Sequence, residues 1–202
     1  MKKIILPGDA LPDDLAVAHY TCINNGSVVS KVVGVYDDER KEIVPLEGAW
    51  HPRVGSSIVG IIASVGRNTC SIDLKHSSYG ILVNDKMSRY SPKVGDVIES
   101  VVRSIERKNV PVMDRARLID GSSWLVYVKP SKIPRVLGRN NSMLKQIEEL
   151  TQTRIIVGLN GFVAISGKGI NPAVASIRKI ESEAHTSGLT DKIKDMLLSM
   201  KE

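Results

Sequence analysis

Between residues 51 and 120 the apolar residues recur at every second position in short runs, and beyond residue 121 they recur every third or fourth. The change of period places a small sheet first and a module carrying helices after it. Ile58-Val59-Gly60-Ile61-Ile62-Ala63-Ser64-Val65 is rich in β-branched residues and stops at Gly66-Arg67-Asn68, a tight-turn composition. From Thr69 to His76 the alternation is clean, with Cys70, Ile72 and Leu74 on one face and Thr69, Ser71, Asp73 and Lys75 on the other. Cys70 therefore reads as a small core residue, not a nucleophile. Tyr79 to Val83 is a third strand, Val97 to Ile105 a fourth after Pro92-Lys93-Val94-Gly95-Asp96, and Val110-Pro111-Val112-Met113 a fifth.

Five short strands with a Gly-Asp turn before the fourth predict a small antiparallel barrel of the OB type. Upstream, residues 27–46 read as a β-hairpin. Val28, Val29, Val32, Val33 and Val35 lead into Asp37-Asp38-Glu39-Arg40-Lys41-Glu42, and Ile43-Val44-Pro45-Leu46 returns. The acidic cluster reads as a solvated turn, because no third type of metal ligand is nearby; Asp13-Asp14 reads the same way. Downstream, Ser123 to Val128 is a strand, and Leu144, Ile147 and Leu150, with Met143 beside them, form a helix face. Arg154–Gly158 and Gly161–Ile165 pair across Leu159-Asn160. Asn171-Pro172 marks the N-cap and first position of a helix with Val174, Ile177, Ile180 and Ala184 buried. A last helix after Thr190 carries Ile193, Met196, Leu197 and Met200.

Composition excludes several classes. Aromatics make up 4% of the 202 residues, with Phe162 the single Phe, so small Val/Ile/Leu cores are expected in place of one large aromatic core. No apolar run nears the roughly 18 residues that span a bilayer. Only three apolar residues separate Met1-Lys2-Lys3 from Pro7-Gly8-Asp9, too few for a signal peptide, and the chain reads as cytoplasmic. Cys22 and Cys70 are the only cysteines and neither lies in a Cys-x-x-Cys motif, which argues against a disulfide framework and a Cys-rich zinc site. His19, His51, His76 and His185 are far apart in sequence, and no Ser-His-Asp order or phosphate-binding Walker loop is present, so no catalytic residues, metal or cofactor are assigned.

The formal charge of +6 averages unlike segments. Residues 1–50 carry 5 basic and 8 acidic groups, residues 51–120 carry 11 and 7, and residues 121–202 carry 12 and 7. An acidic end suited to protein and a basic remainder suited to a polyanion follow from that split. In the barrel, Arg67, Lys75, His76, Tyr79, Arg89, Arg103, Arg107 and Lys108 fall in or beside the strands and loops that OB folds use for ligands. They read as an electrostatic track for single-stranded RNA with Tyr79 as a stacking platform, in preference to a solvated polar face. His76 by itself reads as a surface histidine.

The most specific motif is Pro130-Ser131-Lys132-Ile133-Pro134-Arg135-Val136-Leu137-Gly138-Arg139-Asn140-Asn141-Ser142-Met143. With its flanking strand it gives the order β–α–loop–α–β–β–α, that of a KH module. A Gly-bearing loop between two helices offers backbone N–H groups and a helix N-terminus to a phosphate, and Arg139 adds a cation. Lys132, Gly138, Arg139, Asn140 and Lys145 are the candidate RNA contacts here. The loop departs from Gly-x-x-Gly at its fourth position, where Asn141 stands; Asn tolerates the left-handed turn but its side chain obstructs the closest backbone approach. RNA clamping by this loop, and a KH fold that packs on neighbouring subunits, both stay open.

An acidic β-rich leader, a barrel and a KH module in that order resemble the RNA-binding cap subunits of the archaeal exosome, those similar to ribosomal-RNA-processing protein four. Leu6-Pro7-Gly8-Asp9, Lys129 to Gly138, Ser142-Met143 and Val157-Gly158-Leu159-Asn160-Gly161 carry the resemblance. It implies a multidomain chain: residues 1–50 a β-rich N-terminal docking domain, 51–120 a five-stranded S1-type OB barrel that binds RNA, and 121–202 an α+β type I KH domain with a C-terminal helix. It further implies a non-catalytic subunit, three copies of which cap a hexameric ring of RNase PH-like exosome subunits. There it would guide RNA 3′ ends to phosphorolytic sites in the ring. A cap mixed with a zinc-ribbon subunit is the implied variation. A structural assembly subunit with incidental RNA contact, and a free-standing translation or ribosome-maturation factor, are the alternatives.

Overall fold

The computed structural model describes residues 2–12, 15, 20–39, 41–46, 50–76, 78–83, 91–184 and 188–200, apart from the side chains of Lys2, Glu42, Val44 and Lys108. Asp13-Asp14, His19, Arg40, Arg89 and His185, weighed above, lie outside the described residues. The chain divides into two compact units, Met1–Ala49 and Trp50–Glu202.

The first unit holds β1 (Lys2–Ile5), β2 (Thr21–Asn24), β3 (Ser27–Ser30), β4 (Gly34–Asp37) and β5 (Glu42–Pro45). They form a three-stranded sheet in the order β1-β4-β5 and a separate hairpin of β2 with β3. The hairpin expected over 27–46 is thus two hairpins. Asn25 and Gly26 both take positive φ, 49° and 83°, and this Asn-Gly turn pairs β3 with β2. Only β4 and β5 pair across the acidic turn, where Asp37 Oδ1 accepts from the Glu39 N–H at 3.2 Å. Ile5, Leu11, Leu15, Val28, Tyr36 and Ile43 fill the core.

In the second unit β6 (Ser57–Val65), β7 (Thr69–Asp73), β8 (Gly80–Val83), β9 (Val97–Glu106) and β10 (Val110–Leu118) close into a barrel. Going round it, the order is β6-β7-β8-β10-β9, with β8 and β10 the one parallel pair. This is the five-stranded OB-like barrel the alternation predicts, except that β8 and β10 pair in parallel where an antiparallel barrel was expected. Cys70, Ile72 and Leu74 are buried in its core with Ile58, Ile62 and Ile98, and burial pushes the Cys70 thiol above its ordinary value. Two boundaries differ from expectation. β7 ends at Asp73, because Lys75 turns left-handed at φ 52°, and β10 runs on to Leu118 in place of stopping near Met113.

The KH module follows as β11 (Trp124–Tyr127), α1 (Ile133–Leu137), α2 (Ser142–Thr151), β12 (Thr153–Val157), β13 (Phe162–Gly167), α3 (Ile170–Ser182) and α4 (Leu189–Ser199). Its sheet is antiparallel in the order β11-β13-β12. The buried line of α2 is Met143, Ile147 and Thr151, spaced by four, while Leu144 and Leu150 flank it half-buried. The third helix starts at Ile170 with Gly169 as N-cap, not at Asn171-Pro172. The fourth begins at Leu189, two residues before the expected start after Thr190, and Met200 lies past its end, 54% exposed, where a buried stripe was expected.

β13 explains why barrel and KH module share one unit. Along it every residue from Phe162 to Ile165 is buried. Val163 and Ile165 face the helices with Val126 and Ile155, while Phe162 and Ala164 pack with Val59 of β6, and with Val97, Leu125, Tyr127 and Ile156 around them. A strand covered on both sides reads as a continuous apolar run, and here the second cover is the barrel wall.

Candidate nucleic-acid interface

Strand registers place the charged groups on the barrel. β6 ends where Val65 pairs with Cys70, so the turn holding Arg67 caps one end. The ends of β7 and β9 and the starts of β8 and β10 define the other end, where Ser78 meets the 3-10 turn Arg107–Asn109. Ser78 Oγ donates to the Asn109 carbonyl at 3.4 Å and ties these two segments together. Between the ends, Thr69, Ser71 and Asp73 of β7 and Ile81 and Val83 of β8 alternate with the core residues and line the outside. An OB fold takes oligonucleotides across that pair of strands, between such flanks.

Arg67, Arg103 and Arg107 are exposed. So are Arg115 and Arg117, which lie on β10 beyond the Met113 expected to end the fifth strand and are not among the sequence candidates. None of the five has an ion pair to a described residue. Arg115 sits in a bulge between Asp114 and Arg117 at φ 55°, its N–H donating to Asp114 Oδ1 at 2.8 Å. A bulge re-aims a side chain, and a β-position of this kind is normally glycine's. Tyr79, 60% exposed ahead of β8, leaves its ring open for stacking.

Two sequence candidates are otherwise engaged. His76 is not a free surface group: its ring meets Trp50 edge-on at 5.7 Å and His51 at 6.3 Å, and Nδ1 lies 3.2 Å from Ser78 Oγ. Lys75 places its Nζ 3.7 Å from the centroid of the Tyr127 ring, on the KH sheet. Lys108 contributes only its backbone to the description and Arg89 lies outside it.

In the KH module, Gly138, Asn140 and Asn141 all take positive φ, 72°, 54° and 61°. Asn supplies the left-handed turn that a second glycine would otherwise make. Arg139, Asn140 and Lys145 are exposed and Lys132 is half-buried in the 3-10 turn before α1. The first turn of α2 holds no acidic residue and its N-cap makes no side-chain hydrogen bond, so the positive end of the helix dipole faces the loop uncompensated. Gly138 is needed sterically too, since a Cβ there would stand 2.7 Å from Met143 Cβ and 2.8 Å from its nitrogen. Gly138→Ala should cost about 2 kcal/mol, combining strain with overpacking. The expected fall in melting temperature is about 5 °C, and an unchanged melting temperature in calorimetry would contradict this account of the loop.

One buried residue fixes the two basic surfaces relative to each other. Asn160, 1% exposed, reaches from the β12–β13 turn into the barrel. Its Oδ1 accepts from the Val59 N–H at 3.2 Å, and Nδ2 donates to the Val59 carbonyl at 2.7 Å and the Leu74 carbonyl at 3.2 Å. β7 has left the sheet by this point, and the side-chain amide takes the place of the missing peptide. Gly158 lets the turn come this close; a Cβ there would collide with the Val59 nitrogen and Asn160 Oδ1. The sequence places Asn160 in a turn and in a stretch that carries the family resemblance, but no local signal points to its contact with the barrel.

Among the described residues no group of three or more His, Cys, Asp or Glu is placed to hold a metal ion. No described helix is long and apolar enough to cross a membrane.

Comparison with known proteins agrees with this arrangement. The family model for the KH domain matches residues 123–179. The exosome complex component Rrp4 of Pyrococcus furiosus is 33% identical over 225 aligned positions, which cover 98% of this chain and 83% of that protein. That of Thermoplasma acidophilum is 31% identical, covering 100% and 92%. Among solved structures, one of a candidate exosome complex RNA-binding protein superposes with a TM-score of 0.67 at 28% identity, covering 76% of this chain and 98% of that one.

Proposed function

As the chain belongs to the family of the exosome complex component Rrp4, we propose that it is a non-catalytic RNA-binding subunit of a cytoplasmic exosome complex. Its task is to cap a hexameric ring of RNase PH-like subunits, three copies per ring, and to guide single-stranded RNA 3′ ends into it. A zinc-ribbon subunit can share the cap. The reading divides the chain into 1–50 as the docking domain, 51–120 as the barrel that tracks RNA, and 121–202 as the KH domain.

The observation that carries it is the set of five exposed arginines on the barrel without an ion pair to a described residue. Exposed arginines without an ion pair to a described residue suit a polyphosphate chain that is read without regard to sequence. With aromatics at 4%, few rings can stack bases, so the grip is mainly ionic. Arg67, Arg103 and Arg107, joined by Arg115 and Arg117, take the phosphates; Tyr79 stacks; Arg139, Asn140 and Lys145 with Gly138 and Lys132 form the KH contribution. Lys108 and Arg89 remain in the set on charge alone. The acidic first unit, with 8 acidic against 5 basic residues, repels RNA and is the part suited to a protein partner. Affinity capture of the tagged chain from its native cell tests the assignment. The expected companions are RNase PH-like proteins; ribosomal subunits in their place would replace it with a translation or ribosome-maturation role.

A further inference from the structure

We propose that Lys75 is a positioning residue of the RNA-binding flank and not a phosphate contact: its ammonium, seated on the Tyr127 ring, locks the turn that carries His76 and Tyr79 to the KH sheet. This rests on the RNA reading above and assigns one of its residues a different job.

The turn begins under strain. Lys75 is not glycine, yet it holds φ 52°, a region that costs an ordinary side chain energy. Three contacts keep it there. Asp73 Oδ1 accepts from the Lys75 N–H at 2.8 Å. Asn160 Nδ2 fixes the preceding carbonyl, that of Leu74, at 3.2 Å. The third is the Lys75 ammonium at 3.7 Å from the Tyr127 centroid. That ring is itself immobilised, edge-on to Phe162 at 5.6 Å, and its phenol is pushed up by burial and by the nearby Glu181 carboxylate. At its far end the turn is held by Ser78 on the Asn109 carbonyl, beside Arg107. Tyr79 follows at once, exposed. Lys75 is exposed, and its cation makes an intramolecular contact there that bridges the two modules where one flank of the cleft is built.

The test compares Lys75→Gln, Lys75→Arg, Tyr127→Leu and Tyr127→Phe in the full chain, by fluorescence anisotropy with a labelled single-stranded oligonucleotide across a salt series. Lys75→Gln and Tyr127→Leu should each weaken binding about two- to fivefold with the log–log salt slope unchanged. Lys75→Arg and Tyr127→Phe, which keep a cation on a ring face, should retain wild-type affinity. Hydrogen exchange at the His76, Ser78 and Tyr79 amides should quicken in the two damaging variants only. If Lys75 held a phosphate, Lys75→Gln would lower the slope by about 0.7 and Tyr127→Leu would leave affinity alone; that result overturns the proposal, as does unchanged exchange. A wild-type chain that fails to bind RNA sinks the RNA reading instead, and the exchange rates still decide whether Lys75 orders the turn.

Discussion

Replacing Asn160 with alanine should destabilise the Trp50–Glu202 unit by about 3–5 kcal/mol. The side chain is 1% exposed and satisfies the Val59 N–H, the Val59 carbonyl and the Leu74 carbonyl at once. Truncation leaves three buried backbone groups unpaired, each costing about 1–3 kcal/mol less whatever water recovers. In a unit of this size the melting temperature should fall by about 10 °C. Asn160→Asp sharpens the result. It keeps the shape but sets an acceptor against two carbonyl oxygens, so it should be at least as damaging as alanine. Barrel and KH module should still unfold together in the wild type, since Phe162 and Ala164 share their core with Val59. A fall below about 2 °C for both variants would show that water replaces the amide and that the seam depends on apolar contact alone.

The second large effect concerns RNA. Arg67→Ala, Arg103→Ala and Arg107→Ala combined should shift the log–log salt slope of single-stranded RNA affinity by about 2, at roughly 0.7 per phosphate contact removed. The same counter-ion argument makes the loss salt-dependent: two to three orders of magnitude near 0.05 M and about tenfold near 0.3 M. Arg67 lies at the opposite end of the barrel from Arg107, so its single substitution should add nearly independently of the other two. Removing Arg115 and Arg117 as well should flatten the slope further if the bulge aims Arg115 along the same path. A slope that ignores the triple substitution would mean that these cations are merely solvated and that RNA is held elsewhere.

How much of this was legible beforehand follows from where each residue's partners lie. The barrel strands were readable because one face is core and the other water: Cys70, Ile72 and Leu74 are buried while their neighbours are not. The KH order was readable from the Gly138 loop between two helices, and Asn140 and Asn141 do take the left-handed turn. The split of the first hairpin was hidden because Val32 and Val33 continue the apolar run across a break in pairing, while the true signal was the polar Asn25-Gly26 pair. The outer half of β10 was missed because Asp114, Arg115 and Arg117 face solvent, leaving no apolar beat to follow. Asn160 and Lys75 were illegible for another reason. Val59 and Leu74 are 101 and 86 residues from Asn160 in sequence, and Lys75 finds Tyr127 in a separate module. No window along the chain contains such a pair.

The central claim, an RNA-binding subunit that acts through a catalytic ring, is tested most directly by phosphorolysis of a 3′-labelled single-stranded RNA. The rate of nucleoside diphosphate release would be measured for the ring alone, for this chain alone, and for the two mixed. The chain alone should release nothing, and at RNA concentrations below saturation the mixture should run faster than the ring, with the gain lost in the triple arginine variant. Release of nucleotide by the chain on its own, or a mixture no faster than the ring at any RNA concentration, would contradict the account.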